Sequence, residues 1–313
     1  MYNRRKMFWG KLEKVMTMLT KALPMNGIIA RLRMYWTLTK SLQTGLLLVT
    51  GLAGYFSARC PTHSTALVLA LAGSLFLAIA GSTVLNMVYD RDIDARMLRA
   101  CHRPLPANQM STREGLMLGV ILSIIGVVWS FALAPLYGAV VFAGWFFDVV
   151  VYTMWLKRRT AWSILWGGIA GATPILAGRA LGTGQIDLVG ILFALAVLLW
   201  IPTHMLTFGI KYADQYRAAG VPVFPNRYGE VITRFTIALS TAFATLAMLF
   251  AAWRIGLPWG YFHLAMWLSG LLLIVALTSV LHRSPQLNFA LYKFASLYML
   301  GAMALIMLGV GAS

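Results

Sequence analysis

Nine acidic residues are all that this 313-residue chain contains, and three of them, Asp90, Asp92 and Asp94, crowd into five positions. Together with Asn86 they give Asn86-x3-Asp90-x3-Asp94, an i, i+4, i+8 spacing that stacks three oxygen-bearing side chains on one face if the helix continues. Hard oxygen ligands suit Mg²⁺, which is held by one or two carboxylates plus substrate phosphates rather than by a closed protein cage. Arg91, Arg96, Arg99 and Arg103 lie beside them, and guanidinium groups grip phosphate oxygens in a fork. The pattern predicts a divalent-cation site next to a phosphate clamp. A solvated, charge-balanced loop accounts for any one acid; an Asn one turn deeper argues for the cation site.

The elements that must position these residues follow from composition. Sixty per cent of the chain is hydrophobic and only 11% is charged, where a soluble domain carries about a quarter charged. Soluble, disordered and disulfide-rich classes are excluded, and Cys60 and Cys101 show no pairing or metal-ligand spacing. Apolar stretches able to cross a bilayer, about 20 residues each, fall near 42–58, 65–86, 113–133, 136–155, 162–180, 186–206, 232–253, 259–281 and 287–310. The reading is an all-α polytopic membrane protein, a bundle of nine transmembrane helices around a central cavity. The net charge of +17 might suggest nucleic acid, but the distribution of the 26 Lys and Arg says otherwise. With nine spans, 23 of them fall on one side, leaving only Arg59, Arg179 and Arg254 for the other. Basic residues gather on the cytoplasmic side, so the N-terminus is predicted inside and no nucleic-acid partner is expected.

Residues 1–40 read as a separate basic segment, with the transmembrane domain over 41–313. Phe8, Leu12, Val15, Met16, Leu19 and Leu23 recur at helical spacing between lysines and arginines, the pattern of an amphipathic helix lying on anionic lipid. Such a basic, acid-poor start also suits an organelle transit peptide; with no cleavage-like site, the interfacial helix is favoured.

Beyond spacing, Asn86-x3-Asp90-x3-Asp94 followed by Met97-x-Arg99-x3-Arg103-Pro104-Leu105 resembles the first signature of the UbiA superfamily of intramembrane prenyltransferases. Further blocks resemble the branch that farnesylates protoheme IX to give heme O. These are Tyr152-Thr153-x2-Leu156-Lys157-Arg158-x-Thr160, Gly167-Gly168-x-Ala170-Gly171-Ala172-x-Pro174, Trp200-x-Pro202-x-His204 and Lys211-Tyr212-x-Asp214-x-Tyr216. The likeness runs from about residue 36 to the C-terminus. Thr203 and Met205 stand where the family usually has Pro and Phe, and Gln215 stands where a second acid is usual, so the second metal site is thinner.

What the resemblance implies is Mg²⁺-dependent farnesyl transfer from farnesyl diphosphate to heme B within the lipid bilayer. Asn86, Asp90 and Asp94 would hold one Mg²⁺ and Asp214 would help with a second. Arg99, Arg103, Lys157 and Lys211 would grip the diphosphate. Asp90, Asp94, Asp214, Lys157 and His204 form the expected catalytic set, His204 touching the porphyrin or its iron, or handling a proton. A prokaryotic plasma membrane, or else a mitochondrial inner membrane, is the expected location, with heme A synthase or terminal-oxidase assembly as the partner class. Another aromatic or lipid acceptor is the alternative. A proton-coupled transporter using Asp148 and His204 ranks last, because it has no need of three oxygen ligands beside an arginine cluster.

Two residues carry less defined expectations. Asp148 lies about two turns into the fourth span, where a charge costs roughly 2.5–3.5 kcal/mol; it must face the bundle interior, paired with a basic residue or a tyrosine hydroxyl. Tyr89, Tyr152, Tyr212 and Tyr216 sit near span ends and could face a carbocation, although each taken singly reads as an interfacial belt residue.

Overall fold

The computed structural model describes residues 27–59 and 64–312; the amphipathic helix expected over 8–23 lies outside them. Residues up to Thr37 form one unit and Leu38–Ser313 another. In the first, helix α1 (Gly27–Leu38) leaves Ile29, Leu32 and Trp36 exposed, an i, i+3, i+7 stripe along one side.

The second unit runs α2 (Ser41–Phe56), α3 (Thr65–Tyr89), the short α4 (Arg91–Ala95), α5 (Thr112–Leu133), α6 (Pro135–Phe146), α7 (Ser163–Thr183) and α8 (Leu188–Lys211). The short α9 (Ala213–Ala218), α10 (Phe224–Arg254), α11 (Trp259–Leu281) and α12 (Pro285–Gly311) complete it. Helix α6 continues without a break into a π-helix, Phe147–Leu156. The described residues contain no strand. This is an all-α integral membrane protein.

Eight of these helices are long and apolar enough to cross a bilayer. The first expected span, α2, has only 16 residues; at about 1.5 Å per residue it reaches roughly 24 Å, short of a hydrocarbon core of about 30 Å. Helix α10 begins at Phe224, ahead of the expected 232, and Gly229 at φ 82° breaks its first turns from the rest. The three basic residues assigned to the opposite side lie at one end. Arg59 donates to the Gly256 carbonyl at 2.8 Å, close to Arg254, and Arg179 donates to the Ser57 carbonyl at 2.7 Å while forking onto Asp187.

Between apolar helices in lipid, association depends on close van der Waals fit, and small residues supply it by letting backbones meet. Gly178 of α7 is so near α2 that a Cβ there would stand 1.8 Å from the Gly51 carbonyl oxygen. One on Gly54 would stand 2.0 Å from the Ile175 carbonyl oxygen. Gly126 of α5 meets the backbone of Ala78 on α3 in the same manner. Gly178→Ala is therefore expected to lower the thermal midpoint of the purified protein by an amount worth about 3 kcal/mol. Gly270→Ala, with nothing within 4 Å of the new methyl, should leave it unchanged; equal behaviour of the two would refute the contact. Helices α2, α3, α6, α7, α8 and α12 surround one cavity, roofed by the loop after α3 and by Tyr216.

Candidate active site

The cavity measures about 490 Å³ and has two chemically distinct ends. Its mouth is built where α3 stops. Asp90, at φ −88° and ψ 3°, interrupts the helix, yet the Asp90 N–H still donates to Asn86 and the Asp94 N–H to Asp90, at 2.9 and 2.8 Å. The i, i+4, i+8 stacking therefore survives the break, and Asn86, Asp90 and Asp94 all line the cavity. Asp90 and Asp94 are only 5% and 6% exposed. Carboxylates are rarely so buried without partners. Each has one: the Lys157 ammonium donates to Asp90 Oδ2, and Arg103 Nη1 donates to Asp94 Oδ2 at 2.6 Å.

One acceptor is left over. Asp90 Oδ1 is buried and has no hydrogen-bond partner among the described residues. No three His, Cys, Asp or Glu side chains among those residues gather into a ready metal cage. Two carboxylates, an amide oxygen and a free buried lone pair fit a Mg²⁺ whose shell is completed by substrate phosphates.

Lys157 reaches this mouth because the backbone behind it is wound differently from an α-helix. In an α-helix, residues nine apart point in opposite directions, about 180° around the axis. Between Phe147 and Leu156 the turns are wider, and the Lys157 N–H donates to the Tyr152 carbonyl, five residues back, at 2.8 Å. Asp148, Tyr152 and Lys157 consequently all line the cavity. Single π-turns inside helices recur at functional sites for this reason. Burial disfavours the Lys157 ammonium, but the Tyr152 oxygen and the Asp90 carboxylate more than offset it, holding its pKa above lysine's ordinary value. Outside the mouth, Arg158 forks onto Asp92 at 2.7 and 2.9 Å and donates to the Tyr89 carbonyl at 2.7 Å, pinning α4 to the end of the π-helix. That bond holds the Asp92 carboxyl below the usual range.

Asp148 lines the cavity, as a charge at membrane depth must, but its side-chain hydrogen bonds come from Asn86 and Ser82 rather than from a cation or a tyrosine. Asn86 Nδ2 donates to Asp148 Oδ2 at 2.9 Å, while Thr153 Oγ1 donates to Asn86 Oδ1 at 2.8 Å.

The second loop contributes less than its motif implies. Tyr212, at φ −113° and ψ 20°, ends α8, and the chain restarts as α9 in a new direction. That turn sends Asp214 outward, its side chain 96% exposed and 3.7 Å from Arg217. Neither Asp214 nor Lys211 lines the cavity; Lys211 rests its ammonium on the Phe289 ring, 3.7 Å from its centre. Asp214, the expected second metal ligand, and Lys211, an expected diphosphate cation, thus both stand outside the cavity that holds Asp90 and Asp94. Tyr216 takes the inward position. Its hydroxyl accepts from Arg99 Nη2 at 2.9 Å, and Gln215 Oε1 accepts from the Arg99 N–H at 3.3 Å. The Arg99 guanidinium is flanked by Phe208, Tyr212 and Tyr216, with its central carbon 4.9 to 5.4 Å from the ring centres. Ile93, Met97, Ala100, Ala219 and Val221 pack beneath, joining the two loops into one cap.

Away from the mouth the lining becomes apolar, with Leu46, Leu47, Leu75, Ile79 and Val141 on one side. On the other, the His204 ring stacks between Trp200 and Tyr292, 5.2 and 4.5 Å between centres. His204 Nδ1 lies 3.2 Å from the Ser296 hydroxyl. Asn86, Asp90, Asp94, Arg99, Arg103, Lys157 and His204 thus share one cavity. Lys40, counted above only as a topology charge, joins them. Its backbone is left-handed, φ 44°, at the entrance to α2, a conformation that non-glycine residues keep where the surroundings enforce it. Burial, followed by the nearby Arg103 and Lys157, pushes its pKa down to about 8.

Residues 47–300 match the model of the UbiA prenyltransferase family. A protoheme IX farnesyltransferase of Pyrobaculum arsenaticum is 42% identical over 229 residues, 71% of this chain and 81% of that protein. Among solved structures, a digeranylgeranylglyceryl phosphate synthase superposes with a TM-score of 0.75 at 17% identity, covering 91% of this chain and all of the other. A UbiA homolog from Archaeoglobus fulgidus bound to GPP and Mg²⁺ gives 0.65 at 15% identity, over 87% and 99%. At such identities the structures speak for a shared fold.

Proposed function

The chain belongs to the UbiA prenyltransferase family and is a membrane-embedded prenyltransferase, and we propose that it transfers a farnesyl group from farnesyl diphosphate to protoheme IX, with Mg²⁺. The observation that carries this is the pairing of a buried, cation-balanced carboxylate mouth, with Asp90 Oδ1 unpartnered, to an apolar cavity behind it. The farnesyltransferase name of the 42%-identical relative supports the donor and acceptor, and the GPP and Mg²⁺ of the Archaeoglobus structure support a metal and a prenyl diphosphate.

Four cations, Lys40, Arg99, Arg103 and Lys157, line the cavity against three carboxylates, Asp90, Asp94 and Asp148. That excess accepts an anion. Lys157 and Arg103 turn from their carboxylates to diphosphate oxygens as the donor enters, and Asn86, Asp90 and Asp94 present their oxygens for Mg²⁺. A bound Mg²⁺ supplies Lewis-acid neutralisation of the departing diphosphate. Arg99 and Lys40 add fixed positive charge where negative charge develops, which costs no reorganisation at the moment of bond breaking. The apolar lining takes the isoprenoid chain and keeps water from the allylic cation. Tyr152 and Tyr216 offer ring faces beside it. The stacked wall of Trp200, His204 and Tyr292 is the surface a flat porphyrin meets.

Purified protein given heme B, farnesyl diphosphate and Mg²⁺ should yield a farnesylated heme, read by mass. No product with heme, but product with an aromatic acid or a glycerophosphate lipid, would transfer the assignment to another acceptor. The plasma membrane is the proposed location, with the Asp90 mouth facing inward. A reporter fused after Arg159 should then lie inside and one after Arg254 outside.

Lys40 also sets a pH dependence. It is charged below about pH 8 in the free protein and loses that charge as pH rises through its pKa. kcat/KM for farnesyl diphosphate reports free-enzyme groups, so it should decline on the alkaline side. Lys40→Met should lower it about tenfold at pH 7, the loss of one charged contact, and abolish the decline near pH 8. A decline that persists in the variant would clear Lys40 of the role.

A further inference from the structure

We propose that Asp148 is a positioning residue: it fixes the Asn86 amide so that the carbonyl oxygen, rather than the NH₂ group, is presented at the metal site. This rests on the Mg²⁺ reading above. An asparagine side chain has two ends of nearly equal shape and opposite chemistry, since its oxygen can ligate a cation and its NH₂ cannot. Which end faces a site is decided by its neighbours. At Asn86 the carboxylate decides. A carboxylate only accepts, and Asp148 Oδ2 accepts from Nδ2 at 2.9 Å; the Thr153 hydroxyl, which can serve either end of the amide, then donates to Oδ1 at 2.8 Å. An amide oxygen has two lone pairs, so one remains after Thr153 is satisfied. Asn86 and Asp148 both line the cavity, and Asp90 Oδ1, one turn along from Asn86, has no partner among the described residues.

Two features speak against a purely structural role for Asp148. Its described hydrogen-bond partners, the Asn86 amide and the Ser82 hydroxyl, are both neutral, a weak return for placing a carboxylate at membrane depth. It also reaches the Asn86 side chain from the π-wound segment, where the local winding differs from the rest of the bundle. The position is built to meet Asn86.

The test measures Mg²⁺-dependent binding of the unreactive thiolo analogue of farnesyl diphosphate, without turnover. Asp148→Asn keeps the shape but can offer either end to Asn86; Asp148→Ala removes the acceptor altogether. Each should raise the Mg²⁺ midpoint about tenfold in the parent and by less than twofold in an Asn86→Ala background, because residues acting through one group are non-additive. A through-space effect of the lost charge would shift both backgrounds equally and overturn the proposal. So would unchanged midpoints in Asp148→Asn and Asp148→Ala when Asn86→Ala and Asp90→Asn do shift. If Asp90→Asn itself leaves the midpoint unmoved, the Mg²⁺ reading falls and this inference with it. Should Asp148→Asn fail to fold, Asp148→Ala on the two backgrounds decides alone.

Discussion

Asp90→Asn and Asp94→Asn are each expected to reduce turnover by a factor of about 10²–10³ or more, the scale of losing a group that stabilises developing charge. Folded protein should remain. Both side chains lie at the end of a transmembrane helix, and an amide is less costly to bury than a carboxylate. In Asp90→Asn one oxygen remains to accept from Lys157, while a full charge is withdrawn from any cation there. Turnover should be measured across a wide Mg²⁺ range, beside the thermal midpoint. Full activity in either folded variant would remove that carboxylate from the site.

Lys157→Met should be the more damaging substitution because it removes activity and stability together. It leaves Asp90, 5% exposed, as an uncompensated buried charge, which costs about 3–5 kcal/mol. The double variant Asp90→Asn/Lys157→Met is expected to recover most of that stability and none of the activity. A double variant no more stable than Lys157→Met would mean that the pair carries little of the fold. The pH dependence has a defined sign. A lysine whose folded pKa stands above its unfolded value contributes stability that is complete below the unfolded pKa and lost as pH rises through the folded one. For Lys157, raised above the ordinary lysine value, thermal midpoints of parent and Lys157→Met should differ by a constant amount across neutral pH, with the gap closing only in strong alkali.

The sequence alone determined the solvent and the main chemistry. A chain with 60% hydrophobic and 11% charged residues has too little polar surface to fold in water, and the spans follow from the fixed rise of a helix through a layer of fixed thickness. Asn86, Asp90 and Asp94 were legible because their spacing is local: i, i+4, i+8 places them together whatever the rest of the fold does, even across the break at Asp90. Arg99 and Arg103 were legible for the same reason, being tethered within a few residues of the acids they serve.

Only the tertiary structure decided the remainder. Lys157 and Asp148 join the mouth through a π-wound segment, and a change of winding by one residue per turn leaves no trace in hydrophobic periodicity. The spacing Asp214-x-Tyr216 puts the two on opposite faces of α9, but which face turns inward hinges on the backbone break at Tyr212. Lys40 is brought to the cavity only because α2 is laid against α7 by Gly51, Gly54 and Gly178. Asp148 found an asparagine instead of a cation because Asn86 is 62 residues away in sequence and 2.9 Å away in space. Residues in one turn share a fate set by the helix, whereas residues on different helices meet only where packing brings their backbones together.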